Sequence, residues 1–359
     1  MKEVIINGIQ QMGIGVSDMS EAWKWYRKYF GVDIKVFEEA AEAKLMLPYT
    51  GGEPRSRMAT LAINLQGGGG FEVWQYTSRT PKAPIDPIIL GDLGLFAAKV
   101  KCKDAIQAYD FYKNNDLKLI SKITNDGRGN PHFYLQDPYG NIFDIVQNDV
   151  WFKNEGKLTG GTFGATVGVS DMEISKEFYK NILGYDKVLV EEEGVLNDLK
   201  GLKNGNKPVH RVILAHSEER KAGFGLLFGT SEIELIKVVD YQPKKIFQNR
   251  FWGDLGFIHL CFDIVGMKGL REKCEKLGHP FTVDSFASLD ASFDMGEAAG
   301  HFSYIEDPDG TWIEFVETHK IPILKKIGWY LDLRKKDRTK PLPKWLIRAM
   351  ALNRVKDRS

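Results

Sequence analysis

The strongest constraint on what this chain can fold into is that it repeats itself. The segment IQQMGIGVSDMSEAWKWYRKYFGVD, from Ile9, recurs as GTFGATVGVSDMEISKEFYKNILGYD, from Gly161. Both copies carry GVSDM between an alternating apolar stretch, which reads as a strand, and a helical pattern. Ser17 and Ser170 stand where helix N-caps are expected, and Gly31 and Gly184 supply the left-handed residue that stops a helix. In the second copy Ile174, Phe178 and Ile182 recur at helical spacing, which gives that helix one face to bury.

A second duplication is sharper. GDLGLFAAKV at Gly91 matches GDLGFIHLCFDI at Gly253. Each strand leads into a helical stretch, AIQAYDFYKNN or GLREKCEKLG, and each copy later reaches a turn between strands, LQDPYGNIFDIVQ or IEDPDGTWIEFVE. Asp-Pro and Asp-Gly form tight turns, and the flanks alternate as strands do. The order is strand, helix, strands, four times over. The modules span 8–78, 91–150, 161–240 and 253–319, with linkers near 79–90, 151–160 and 241–252. Residues 1–150 and 151–319 thus form an N-terminal and a C-terminal pair of modules, followed by a tail at 320–359.

With 359 residues, 43% hydrophobic and 27% charged, the chain has the make-up of a two-domain soluble protein. No apolar run approaches the ~20 residues a membrane span needs, and the N-terminus carries no signal-peptide core. Cys102, Cys261 and Cys274 fall in no CxxC spacing, which fits reduced thiols and a cytoplasmic location. The net charge of +1 leaves no overall electrostatic footprint for nucleic acid. It hides an asymmetry: from Lys320 onward there are thirteen Lys/Arg against three Asp/Glu, so the tail carries +10 and the rest −9. PLPKWLIRAMALNRV forms a short amphipathic helix after Pro343 in this reading. Such a helix can meet an acidic partner or a membrane surface, but its aromatic content favours packing on the acidic body of the same chain.

GVSDM before a helix, and EDPDGTWIEFVE on a hairpin, resemble the vicinal oxygen chelate superfamily. That group includes glyoxalase I, methylmalonyl-CoA epimerase, extradiol dioxygenases and antibiotic-binding resistance proteins. The resemblance covers residues 8–319. It implies an α+β fold in which four βαβββ modules pair into two cupped, mostly antiparallel sheets. It also implies a metal in the cup, with ligands from the first and last strand of each module.

Counting five residues back from the Val or Ile that ends each first strand gives Gln11, Leu95, Gly164 and His259. The last-strand positions are Glu72, Asp144, Glu234 and Glu314. Independently of the resemblance, Glu72, Glu234 and Glu314 lie between apolar neighbours on short strands. Period-two geometry sends those neighbours to one face and the acid to the other. A carboxylate inside a cup is costly unless it is paired or bound to a cation. If module one pairs with module four, as in fused glyoxalase I chains, the site is Gln11, Glu72, His259 and Glu314, and the Leu95/Asp144/Gly164/Glu234 site is dead. If module three pairs with four, Glu234 replaces Gln11 and Glu72. His259 and Glu314 belong to the site either way, and the first pairing concentrates the better ligands.

Oxygen donors with one imidazole suit a divalent ion such as Zn²⁺, Ni²⁺, Mn²⁺, Mg²⁺ or Fe²⁺. The reaction implied is that of a metal-dependent lyase or isomerase, polarising vicinal oxygens of a small-molecule substrate while Glu314 or Glu72 shuttles a proton. An extradiol-type dioxygenase is the alternative; it needs a second histidine, for which His301 is available on a neighbouring strand. A non-catalytic small-molecule-binding protein is the third reading, with Trp74 and Tyr76 lining a pocket or filling the cup. Two cups complete within one chain allow a monomer as readily as a homodimer. The run Gly67–Gly70 lacks the lysine of a phosphate loop and reads as a flexible hairpin.

Overall fold

The computed structural model describes residues 4–288, 293–295, 298–324 and 328–355. Module one supplies β1 (Ile5–Gly15), α1 (Met19–Phe30), β2 (Ile34–Glu42), β3 (Ser56–Ile63) and β4 (Gly70–Tyr76). Module two supplies β5 (Gly94–Cys102), α2 (Ala105–Asn114), the short β6 (Lys118–Leu119) and β7 (Thr124–Asn125), β8 (Pro131–Gln136) and β9 (Ile142–Gln147). Module three holds β10 (Thr159–Gly168), α3 (Met172–Leu183), β11 (Lys187–Gly194), β12 (Val209–Ala215), α4 (Gly225–Phe228) and β13 (Glu232–Val238). Module four holds β14 (Gly256–Val265), α5 (Met267–Lys276), β15 (Val283–Asp284), α6 (Ser285–Ser288), β16 (Phe293–Met295), β17 (Ala298–Glu306) and β18 (Trp312–Leu324). The tail adds β19 (Trp329–Asp332) and α7 (Lys344–Ala349).

Pairing follows the order one-with-four and two-with-three. One sheet runs β15-β17-β18-β14-β1-β4-β3-β2, and the other runs β11-β12-β13-β10-β5-β9-β8-β6. Each sheet therefore draws one module from residues 1–150 and one from 151–319. Its centre is an antiparallel pair of first strands, β1 with β14 or β10 with β5. Helices α1, α2, α3 and α5 contribute Tyr26, Tyr112, Phe178 and Leu270 to a single core that also holds residues of both sheets.

The repeated helices are capped one residue later than the serines suggest. Asp18 accepts from the Glu21 N–H at 3.0 Å, and Asp171 accepts from the Ile174 N–H at 3.0 Å. A carboxylate at this place also meets the positive end of the helix dipole, which a serine cannot exploit. Gly31 and Gly184 end the helices with φ of 62° and 76°, as the sequence predicts.

The glycine run is a crossing point between the two sheets, not a flexible hairpin. Gly69 N–H donates to the Thr162 carbonyl at 2.7 Å, and a Cβ on Gly68 would stand 2.7 Å from Gly161 backbone. Only chain without side chains lets the two backbones approach this closely. The tail packs on the body. Leu346, Ile347 and Met350 are buried in the core cluster that contains Phe37, Leu61 and Phe228. Arg338 pairs with Glu317 at 2.6 Å and Arg354 with Glu155 at 2.7 Å. No helix among the described residues is long and apolar enough to cross a membrane.

Candidate metal centre

The floor of the first cup follows from register. Across β1 and β14, Gln11 lies opposite Cys261 and Gly13 opposite His259. Parallel pairing then sets Glu72 on β4 beside Gly13, and Glu314 on β18 beside Cys261. Alternation along β4 and β18 sends Phe71, Val73, Ile313 and Phe315 into the helix-side core. The intervening Glu72 and Glu314 turn into the cup and line its cavity with Gln11.

The four side chains meet. His259 Nε2 stands 3.0 Å from Glu314 Oε2 and 3.2 Å from Glu72 Oε2. Gln11 Nε2 donates to Glu72 at 3.1 Å and reaches Glu314 at 3.5 Å. Burial alone would lower the His259 pKa, but Glu314 and Glu72 raise it to about 9. Buried Gln11 Oε1 has no hydrogen-bond partner. Ligand atoms ~2.1 Å from a common ion stand ~3.0–3.4 Å apart in a tetrahedral or octahedral shell. The two distances from His259 to Glu72 and Glu314 fall in that range, and among the described residues these three form the group of acids and imidazole that could share an ion. A half-turn of the Gln11 amide exchanges donor for acceptor at the same place, so it can serve the carboxylates or a cation.

The surroundings hold the imidazole in place. Tyr304 OH lies 3.4 Å from His259 Nδ1, the second-partner arrangement usual for a ligating histidine. Trp252 stacks parallel to the ring, with centroids 6.2 Å apart. A Cβ on Gly13 would fall 2.4 Å from the imidazole, so the ring occupies space that only glycine leaves. Sequence reading missed all three as site residues. Gly13 is one of three glycines in β1, so the sequence alone did not single it out. Trp74 and Tyr76 are buried and fill the cup behind Glu72, with Trp74 packed edge-on against Trp252.

Above this group is a cavity of about 210 Å³. Module three contributes one wall through Phe224, Leu227 and Phe228, and the tail contributes Met350. None of these four residues was expected at the site. They come from segments remote from the cup in sequence, joined to it only by tertiary packing.

Glu234 is not brought to this group. It lies in the other sheet, beside Thr166, and its carboxylate accepts from Thr166 at 2.9 Å and from Lys99 at 3.2 Å. The matching positions there are Gly164 for Gln11, Ala97 for His259, Asp144 for Glu314 and Glu234 for Glu72. Leu95, expected in the slot, lies opposite Val167 instead. Lys99 occupies the Cys261 position and places its ammonium 2.6 Å from Glu232 and 3.8 Å from Asp144. Arg211 pairs with Asp198 and lies 3.4 Å from Glu234, while His132 meets Asp144 at 2.7 Å. Burial raises the Glu234 pKa, but Lys99 and Arg211 outweigh it and hold the carboxyl at about 2. A fixed cation fills this cup.

The model of the Glyoxalase/Bleomycin resistance protein/Dioxygenase superfamily matches residues 8–145 and 164–315. The chain belongs to this superfamily. None of the curated proteins matches it significantly. Among solved structures, a glyoxalase I mutant from Zea mays superposes with a TM-score of 0.55 at 14% identity, covering 86% of this chain and 93% of that one. Wild-type glyoxalase I from Zea mays gives 0.53 at 14% identity, with 86% and 92% covered. A putative dioxygenase from Bacillus subtilis gives 0.55 at 13% identity, with 87% and 86% covered. At these identities the likeness is one of fold. The superfamily's architecture of two cupped, mostly antiparallel sheets is the one observed here.

Proposed function

We propose that Gln11, Glu72, His259 and Glu314 hold one divalent cation, and that the chain is a glyoxalase-like lyase or isomerase acting on a small molecule with vicinal oxygens. The observation that carries this reading is the meeting of His259 Nε2 with two carboxylate oxygens at 3.0 and 3.2 Å on the floor of a cavity. Three oxygen donors and one imidazole suit Zn²⁺, Ni²⁺, Mn²⁺, Mg²⁺ or Fe²⁺. A cation held there supplies positive charge that polarises two neighbouring substrate oxygens and so acidifies the adjoining C–H.

The chain's own groups do the rest. Glu314, with the longer contact to Gln11, takes the proton from one substrate carbon and returns it to the next. Glu72, held at 3.1 Å by Gln11, stays oriented beside it. Tyr304 and Trp252 fix the His259 ring, and the apolar walls keep water from competing for the proton.

The dioxygenase reading gains nothing from His301. On β17, Phe302 and Tyr304 face the cavity, whereas His301 packs against Phe286 and His319. The test is exchange of the carbon-bound protons of 1-hydroxy-2-octanone with D₂O, followed by NMR on Ni²⁺-loaded protein. Wild type accelerates the exchange, and Glu314→Gln slows it by ~10²–10⁴-fold, the usual weight of a positioned proton carrier. Full retention of exchange in Glu314→Gln would contradict the mechanism, as would absence of exchange in wild type.

A further inference from the structure

The cavity's lining says more about the ligand than the metal-binding group does. Beyond the floor, the walls are apolar: Phe37, Leu61, Ile63, Phe228, Ile321 and Met350 are all buried or nearly so. The cations that line it are Lys44 and Arg57. Arg57 is bound to Glu39, donating to its carboxylate at 2.8 Å and its carbonyl at 3.2 Å. Lys44 is 74% exposed and sits 3.6 Å from Glu42, also at the rim. The rim is therefore balanced, two cations against two carboxylates. On the floor, two carboxylates balance the charge of one divalent ion. Among the described residues each lining cation already faces a carboxylate, so a ligand bearing a carboxylate or phosphate on the part held between the apolar walls would bury that charge without a partner.

We infer that the ligand is an uncharged molecule with an apolar body, an alkyl chain or aromatic ring, carrying its two neighbouring oxygens at one end. This inference rests on the proposed metal centre for the oxygen-bearing end, whereas the apolar body stands on the cavity walls alone. The body lies between β2 and β3 on one side, and α4 and the tail on the other. Met350 thereby becomes a determinant of ligand length.

The experiment measures binding of straight-chain hydroxamates, from acetohydroxamate to octanohydroxamate, to the full chain loaded with Ni²⁺. Affinity is expected to rise about fourfold per added methylene, the fold-change for burying one CH₂. Suberic monohydroxamate, which ends in a carboxylate, is expected to lose that gain. Met350→Ala is expected to move the preferred length upward by one or more carbons. A flat series, or equal binding of the carboxylate-ended compound, would overturn the inference even with metal firmly bound. The metal-free chain is tested in parallel with N-phenyl-1-naphthylamine, whose fluorescence reports an apolar site. If no metal is retained but this probe binds and 1-octanol displaces it, the metal-centre reading falls and the apolar-ligand inference stands.

Discussion

At the centre of one sheet the imidazole of His259 lies over Gly13; at the matching crossing of the other, Thr166 lies opposite Ala97. Both cups keep their last-strand acids, Glu72 and Glu314 in one, Glu234 and Asp144 in the other. They differ in what neutralises those acids. In the second cup Lys99 and Arg211 do so from within the chain. In the first, the position of Lys99 is held by Cys261, and two carboxylates converge on the imidazole of His259. The same backbone thus gives an ionic core around Lys99 and Arg211 once, and two carboxylates meeting an imidazole beneath a cavity once. Buried acids tolerate either solution, and the choice of a few side chains decides which.

The largest effect expected from this contrast is on stability. Lys99→Ala leaves Glu232, Glu234 and Asp144 buried without their shared cation, and unfolding in urea should reveal a loss of ~3–5 kcal/mol. A loss below ~1 kcal/mol would mean that Lys99 does not play the part of the metal. Next in size, Gly13→Ala drives a methyl group into the His259 ring and should weaken Ni²⁺ binding ~10–100-fold, the range seen when a ligand's support is disturbed. Isothermal titration would read it; unchanged affinity would show that His259 need not stay where Gly13 leaves room.

The smallest effect is on pH dependence. Glu234 has a folded pKa of about 2 against an ordinary 4.5. Its contribution to stability is therefore present above about 4.5 and is lost as pH falls through about 2. Glu234→Gln should be less stable near neutrality and show a flatter decline over that acid window. An identical acid limb in wild type and variant would show that Lys99 and Arg211 do not hold this carboxyl down.

The fold was legible because GVSDM and GDLG recur with their helices and turns in the same order, which fixes four modules without any knowledge of packing. Gln11, Glu72, His259 and Glu314 were legible because each is a polar residue at a repeat-equivalent place on an apolar strand. Leu95 was misplaced by counting back from the strand's end; aligning GDLG in the second and fourth modules sets Ala97 opposite Thr166 and against His259. Lys99 was visible too, a lysine between Ala98 and Val100 on a strand that is otherwise apolar up to that point, which was the sign of a buried partner. The cavity's outer walls were not legible. Phe224, Leu227, Phe228 and Met350 look like ordinary core residues, and only tertiary packing carries them across to the cup of modules one and four.

The central claim is that a single cup, built by modules one and four, takes a divalent ion. Its most direct test is metal content by mass spectrometry on wild type, Glu72→Ala and Glu234→Ala after reloading with Zn²⁺ and extensive dialysis. The account predicts one ion per chain in wild type and in any folded Glu234→Ala, and none in Glu72→Ala. A wild-type chain that retains no ion, or an ion kept in Glu72→Ala and lost in folded Glu234→Ala, would contradict it.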